Sequence, residues 1–175
     1  MGGTRLLWAV LAVLLLAVIL VYGYGWLFRG PAARSADQWA AAALGDGTVK
    51  DRQYAAVKLV ELGKPARQQV LRVLDLSEQP EVRVACIQGL TEQWDYRSMP
   101  LLLDLMNDSS AAVRLQAGEA VQYLLRTDCQ FSQVNGDNQQ AERQPVIKRL
   151  RSDWEKFKSA GLTRAFIREK LGEDL

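Results

Sequence analysis

The chain has 175 residues, with 22 lysines and arginines against 20 aspartates and glutamates, and it contains no histidine. A net charge of +2 provides no global field for nucleic acid, and the lack of histidine removes the commonest general base and metal ligand. The two cysteines, Cys86 and Cys129, form no C-x-x-C pair, which excludes the usual zinc and thioredoxin-type sites. No phosphate-binding loop of the type G-x-x-x-x-G-K-[ST] occurs. We therefore expect no catalytic site, no metal and no cofactor.

The first predicted element is a transmembrane helix over residues 6–28, preceded by a tail at 1–5 and followed by a linker at 29–35. Residues 6–28 contain no charged side chain, and about 20 apolar residues in a helix cross a bilayer. Trp8 lies near one end and Trp26 near the other, where aromatic rings favour the headgroup level. A cleaved signal peptide is the alternative, but its apolar region is usually only ~7–15 residues long.

The side of the membrane on which the remaining chain lies is left undecided by the flanking charges. Arg5 precedes the span and Arg29 and Arg34 follow it, so the positive-inside rule leans only slightly to a cytoplasmic domain. We predict a single-pass membrane protein whose soluble part is cytoplasmic or exported.

A repeat follows the linker. The stretch VLRVLDLSEQPEVRV from Val70 aligns without a gap with LLLDLMNDSSAAVRL from Leu101, an offset of 31 residues that also extends backwards to Trp39. Apolar residues three and four apart indicate two short helices in each unit. The predicted units are 36–62, 65–92 and 97–126. At this offset the same residue types recur in four columns: Arg52, Arg83 and Arg114; Ala55, Cys86 and Ala117; Ala43, Leu74 and Leu105; and Asp46, Ser77 and Asp108.

The pattern D-x5-R-x-x-A, with a leucine-type residue four positions later, resembles HEAT repeats, above all the short bacterial kind similar to those of phycobilin lyases. Asp46 with Arg52 and Asp108 with Arg114 match this pattern, whereas Ser77 departs from it. The resemblance implies an all-α fold, a short right-handed α-solenoid of about three helix pairs. It also implies a structural ladder that links adjacent units, formed by Asp46, Arg52, Arg83, Asp108 and Arg114.

The C-terminal part is predicted to close the last repeat. The sequence predicts a polar loop over residues 127–144, in which the apolar Phe131 packs against the rest of the chain. It predicts capping helices over residues 145–175, beginning at Pro145. The region from Leu125 to Trp154 also looks like an extension that follows HEAT-like repeats in exported and membrane-bound bacterial proteins. The resemblance to that extension raises the expectation of an exported domain and cancels the lean from charge.

One face of the predicted C-terminal helix is basic. We consider two interpretations of it, a solvated surface and a contact with anionic lipid headgroups or an acidic partner. Nucleic acid is an unlikely partner because the net charge is small and no reading motif occurs. The residues concerned are Lys148, Arg149, Arg151, Lys156 and Lys158.

The function that these features favour is that of a membrane-anchored scaffold or protein–protein interaction module without catalytic activity. A short solenoid offers a concave face to a protein partner, which the sequence does not identify. One alternative, implied by the resemblance, is a lyase-like protein or pigment chaperone related to phycobilin lyases. The other is a structural subunit of a membrane complex.

Overall fold

The structure is a computed structural model that describes residues 34–159. The predicted tail, transmembrane helix and most of the linker lie outside the described residues, as does the last predicted capping helix after Ser159. Within residues 34–159, no helix is both long and apolar enough to cross a membrane.

The described residues form seven α-helices, and no strand occurs among them. Single 3-10 turns lie at Lys64–Ala66, Tyr96–Ser98 and Phe131–Val134. The all-helical fold predicted from the sequence is therefore confirmed. The helices are α1 Ala36–Leu44, α2 Val49–Glu61, α3 Arg67–Leu76, α4 Pro80–Glu92, α5 Met99–Leu105, α6 Ala111–Leu125 and α7 Gln140–Ser159.

Local signals explain where several helices begin. Thr48 and Asp51 form a capping box at α2: the Asp51 N–H donates to Thr48 Oγ1 (3.2 Å) and the Thr48 N–H donates to Asp51 Oδ2 (3.1 Å). These bonds satisfy two N–H groups that have no partner inside the helix. Pro80 opens α4, where its missing N–H costs nothing because the first turn has no acceptor for it.

The helices pack as three pairs, α1 with α2, α3 with α4, and α5 with α6. The second helices of the pairs stack side by side, α2 against α4 and α4 against α6, and the first helices α1 and α3 also meet. The pairs span 36–61, 67–92 and 99–125, close to the predicted units. This packing is consistent with an α-solenoid; its handedness stays a prediction.

The core follows the columns of the repeat. Leu74 is 1% exposed and Leu105 is 8% exposed, so both members of the leucine column are buried. The small residues of the second helices, Ala55, Cys86 and Ala117, are all buried as well. Small side chains at these positions let the second helices approach one another closely.

Two glycines allow approaches that no larger residue would. A Cβ added to Gly89 on α4 would lie 2.0 Å from Val60 Cγ1 on α2. A Cβ added to Gly118 on α6 would lie 2.3 Å from Cδ1 of Phe131, which is itself 1% exposed. Phe131 therefore sits directly on the last repeat helix and begins the C-terminal cap.

The C-terminal helix differs from its predicted limits. It begins at Gln140, so Pro145 lies inside α7 and not at its start. A proline at this position removes the hydrogen bond to the carbonyl four residues earlier, and its ring crowds that carbonyl, so the packing of α7 has to offset this cost. The buried Arg143 adds to the packing of this first part, where Nη1 donates to the carbonyl oxygen of Gly136.

Candidate interaction surface

The ladder residues connect neighbouring units. Arg83 of the second unit donates through Nη2 to the carboxylate of Asp108 in the third unit. The other carboxylate oxygen of Asp108 accepts from the Ser110 N–H at 2.9 Å and so shapes the turn before α6. The structure thus pairs the aspartate with the arginine of the preceding unit, while Arg114, in the same unit, bonds the backbone carbonyl of Asp108.

Arg114 joins the last repeat to the cap. Its side chain is 3% exposed, and Nη1 donates to the carbonyl oxygens of Asp108 (2.9 Å) and Ser109 (3.0 Å). Nη2 donates to the Asn135 carbonyl (2.8 Å) and to Asp137 Oδ1 (2.6 Å). Asn135 and Asp137 therefore take the place that the aspartate of a fourth unit would occupy.

The first rung of the ladder is incomplete. Arg52 should meet the residue in the turn between the two helices of the second unit, and that residue is Ser77, which carries no charge. Arg52 Nε is buried and has no hydrogen-bond partner within residues 34–159. Asp46 is exposed, and no ion pair joins it to Arg52 among the described residues. The chain offers Val21 at the position where a preceding arginine would stand.

The five cations of the predicted basic face are placed on α7, but three of them are paired. Arg151 donates to Asp104 on α5. Two ion pairs lie within α7: Lys156 Nζ is 3.1 Å from Asp153 Oδ1, and Lys158 Nζ is 2.7 Å from Glu155 Oε1. Lys148 and Arg149 are exposed and form no ion pair within the described part of the chain. The basic face is therefore less positive than the sequence suggested.

A second surface is formed by the stacked helices α2, α4 and α6. We call it the second-helix face and define it by seven side chains that point away from the core: Tyr54, Val57, Gln88, Glu92, Gln116, Glu119 and Tyr123. Between α4 and α6 it contains an open depression of about 300 Å³, lined by Gln88, Thr91, Glu92, Gln116 and Tyr123.

An aromatic contact borders this depression. The rings of Trp94 and Tyr123 have centroids 4.9 Å apart, and the Arg126 guanidinium lies 5.9 Å from the centroid of Trp94. The ring centroids of Trp94 and Tyr96 are also 6.4 Å apart. Tyr96 stacks on Trp154 of α7, with a centroid distance of 6.4 Å and an interplanar angle of 7°. The exposed Tyr123 ring thus packs on the half-buried Trp94, which in turn contacts the buried Tyr96.

The backbone at Trp94 is unusual. Its φ is +54°, and that of Arg126 is +51°, in the left-handed region where a bulky residue is a genuine outlier. The corresponding position of the first unit is Gly63, whose φ of +74° is also positive, and glycine is the residue that tolerates a positive φ. A tryptophan at a positive φ costs on the order of 1–3 kcal/mol, and the Trp94 ring contacts Tyr123.

The cysteines are structural side chains in this arrangement. Cys86 and Cys129 are both free thiols and both buried. Burial raises the pKa of the Cys86 thiol to about 12, and burial is also the main reason that the pKa of Cys129 is raised. Among residues 34–159, no group of three or more Cys, Asp or Glu side chains could hold a metal ion.

Comparison with known proteins gives one family match. Residues 99–127, which contain α5, α6 and Arg114, match the family model of the HEAT repeat. This match supports a HEAT-repeat protein. No curated protein and no solved structure matches the chain. HEAT repeats generally mediate protein–protein interaction and scaffolding, so the match directs attention to the exposed helix faces.

The sequence analysis did not single out the part of the repeat units that forms the aromatic border. The signal was present, because Gly63 and Trp94 are 31 residues apart and occupy the same column. A tryptophan replacing a glycine after a helix marks a position that is held against its conformational preference. Tyr123 lies in the column of Glu61 and Glu92, and an aromatic residue in an acidic column was equally visible.

Proposed function

We propose that this chain is a membrane-anchored HEAT-repeat scaffold that binds a protein partner through the second-helix face and catalyses no reaction. The observation that carries the proposal is Tyr123, which is 52% exposed yet rests on Trp94 beside a depression between two stacked helices. A large aromatic side chain held in one place at a solvent-facing depression is a ready anchor for a partner.

The composition of this border supports a binding role. Tryptophan, tyrosine and arginine are the residues most enriched at the energetic centres of protein interfaces, and Trp94, Tyr123 and Arg126 lie in contact here. A fixed ring loses little conformational entropy when a partner covers it. The strain at Trp94 is consistent with a position maintained for binding, because glycine would suit the backbone better.

The anchor is proposed from the sequence alone. The charge-free residues 6–28 are long enough to cross a bilayer, and the linker 29–35 would hold the repeats near the headgroups. The test is alkaline carbonate extraction of membranes from cells that make the full chain or a fragment that begins at Ser35. We expect the full chain to stay in the membrane pellet and the fragment to appear in the supernatant. Extraction of both would remove the anchor from the proposal.

The interaction role is tested by photo-crosslinking in cells that express the full chain. A benzoylphenylalanine is placed at Tyr123 or, as a matched control, at Leu76, which is 55% exposed but lies at the end of a first helix, α3. We expect one discrete crosslinked protein from position 123 and none from position 76. Equal crosslinking from both positions, or none from either, would contradict a partner-binding second-helix face.

A contact of α7 with anionic lipid is a further part of the proposal. It depends on Lys148 and Arg149, which are exposed and form no ion pair among the described residues. Each cation near an anionic membrane surface adds about 1 kcal/mol of attraction. Such a contact would hold the HEAT units against the bilayer and orient the second-helix face.

A further inference from the structure

We infer that the depression between α4 and α6 takes an arginine side chain from the partner, so that the partner docks through a positively charged segment. This inference rests on the proposed function and names the chemistry that its interface recognises. Three independent properties of the depression support it: its hydrogen-bond acceptors, its aromatic wall and the sign of the surrounding charge.

The side chains that line the depression offer several hydrogen-bond acceptors. The carboxylate of Glu92 has no ion pair or hydrogen bond within residues 34–159, and Gln88 uses its amide Nε2 to donate to Gln116 Oε1 at 3.2 Å, which leaves Gln88 Oε1 as an acceptor. The hydroxyl of Thr91 donates to the carbonyl of Ile87 at 2.8 Å and can still accept. A planar guanidinium brings five N–H donors and no acceptor, and it therefore complements this lining.

The aromatic wall is Tyr123. Its ring lines the depression and is held in place by Trp94. A guanidinium stacks on an aromatic face more readily than an ammonium does, because it is planar and weakly hydrated. The molecule already uses this type of contact nearby, where Arg126 lies 5.9 Å from the Trp94 centroid. Arg126 itself does not line the depression.

The charged side chains that α4 and α6 expose are acidic, because the cations of both helices are paired elsewhere. The basic residues of α4 and α6 are Arg83 and Arg114, and they are joined to Asp108 and Asp137. To solvent, α4 and α6 expose the charged residues Glu81, Glu92 and Glu119, while the exposed Arg126, just after α6, lies over Trp94. Such a surface attracts a cationic segment and disfavours an acidic one.

The test measures fluorescence anisotropy of labelled peptides with the full chain purified in a non-ionic detergent. The probe is Gly-Arg-Gly-Arg-Gly, and its matched control carries citrulline, a neutral analogue of arginine with nearly the same shape. We expect the arginine peptide to bind at low salt and the citrulline peptide to bind about tenfold more weakly, since a charged hydrogen bond is lost. Glu92→Gln should weaken the arginine peptide about tenfold, whereas Glu142→Gln on α7 should leave it unchanged.

Two results would overturn the inference: equal binding of both peptides, or equal loss with Glu92→Gln and Glu142→Gln, which would indicate attraction to overall charge only. Because Glu92 and Glu142 are exposed, neither change threatens the fold, and equal melting temperatures verify this. If crosslinking from position 123 succeeds while the arginine peptide does not bind, the scaffold function stands and the arginine chemistry fails. If crosslinking fails as well, the proposed function fails with it.

Discussion

At the scale of single residues, Arg114 is expected to contribute strongly to stability. Replacing it with alanine leaves the carbonyl groups of Asp108, Ser109 and Asn135 without their donor. We expect Arg114→Ala to lower the free energy of unfolding by about 3 kcal/mol, because a buried, charged donor network is lost. Urea denaturation of the fragment that begins at Ser35 measures this change.

Lys158→Ala is the control for Arg114. Lys158 pairs with Glu155, which is 68% exposed, and exposed pairs of this kind contribute only about 0–1 kcal/mol. If the two variants melted at the same temperature, the connection between the last repeat and its cap would not depend on Arg114.

A second residue-scale prediction concerns the missing rung at Ser77. Ser77 Oγ accepts from the Gln79 N–H at 3.3 Å, as Asp108 Oδ1 accepts from Ser110 in the next unit. Ser77→Asp should keep this turn and also give Arg52 a carboxylate, as Asp108 does for Arg83. We expect a gain of about 1 kcal/mol in the free energy of unfolding.

Ser77→Asn is the matched control, because it keeps the size and the acceptor of aspartate without the charge. Chemical denaturation in low and high salt compares the two. A gain that is the same for Asn and Asp would show that Arg52 does not reach position 77.

At the scale of helices, Gly118 tests how the cap meets the last repeat. In an exposed helix interior, Gly→Ala stabilises by about 1 kcal/mol. Here the added methyl would meet the Phe131 ring at 2.3 Å. We therefore expect the opposite sign, a loss of about 1–3 kcal/mol from overpacking.

The cause is isolated by repeating Gly118→Ala in a Phe131→Ala background. With the ring removed, the same change should cost much less or become favourable, and a double-mutant cycle gives the coupling. An unchanged cost in that background would mean that Phe131 is not what Gly118 accommodates.

The helix pairs themselves were predictable, because apolar residues repeat at helical spacing and the columns recur every 31 residues. It was harder to predict whether each aspartate pairs with the arginine of its own unit or with that of the preceding unit. Asp108 and Arg114 lie six residues apart and invite a local pairing, and the resemblance alone pointed to a link between units. Only the stacked packing brings Arg83 to Asp108. The start of α7 could not be derived either, because a proline favours the first turn of a helix, whereas Pro145 lies inside α7.

At the scale of the whole molecule, two surfaces within residues 34–159 differ in charge: α4 and α6 expose Glu81, Glu92 and Glu119, whereas α7 exposes Lys148 and Arg149. We predict that the fragment beginning at Ser35 binds phosphatidylserine vesicles weakly and loses this binding as salt shortens the Debye length. Changing Lys148 and Arg149 together to glutamate should abolish binding, since neither is paired among the described residues. Vesicle co-sedimentation measures the bound fraction of the wild-type fragment and of this variant.

The matched variant changes Lys156 and Lys158 to glutamate. Both lysines are paired within α7, so the same change in net charge should reduce vesicle binding less than the change at Lys148 and Arg149 does. If wild type ignored anionic vesicles at low salt, or if the two double variants behaved alike, the basic face would be a solvated surface only.

Whether the partner binds the second-helix face is decided by the affinity of the full chain for the protein crosslinked at position 123. Isothermal titration compares Tyr123→Ala with Leu76→Ala, two changes at side chains of similar exposure, 52% and 55%. Loss of a central aromatic anchor costs about 2 kcal/mol or more, so we predict that Tyr123→Ala raises Kd by more than tenfold while Leu76→Ala leaves it within twofold of wild type. An unchanged Kd for Tyr123→Ala, or an equal rise for both variants, would contradict partner binding through the second-helix face.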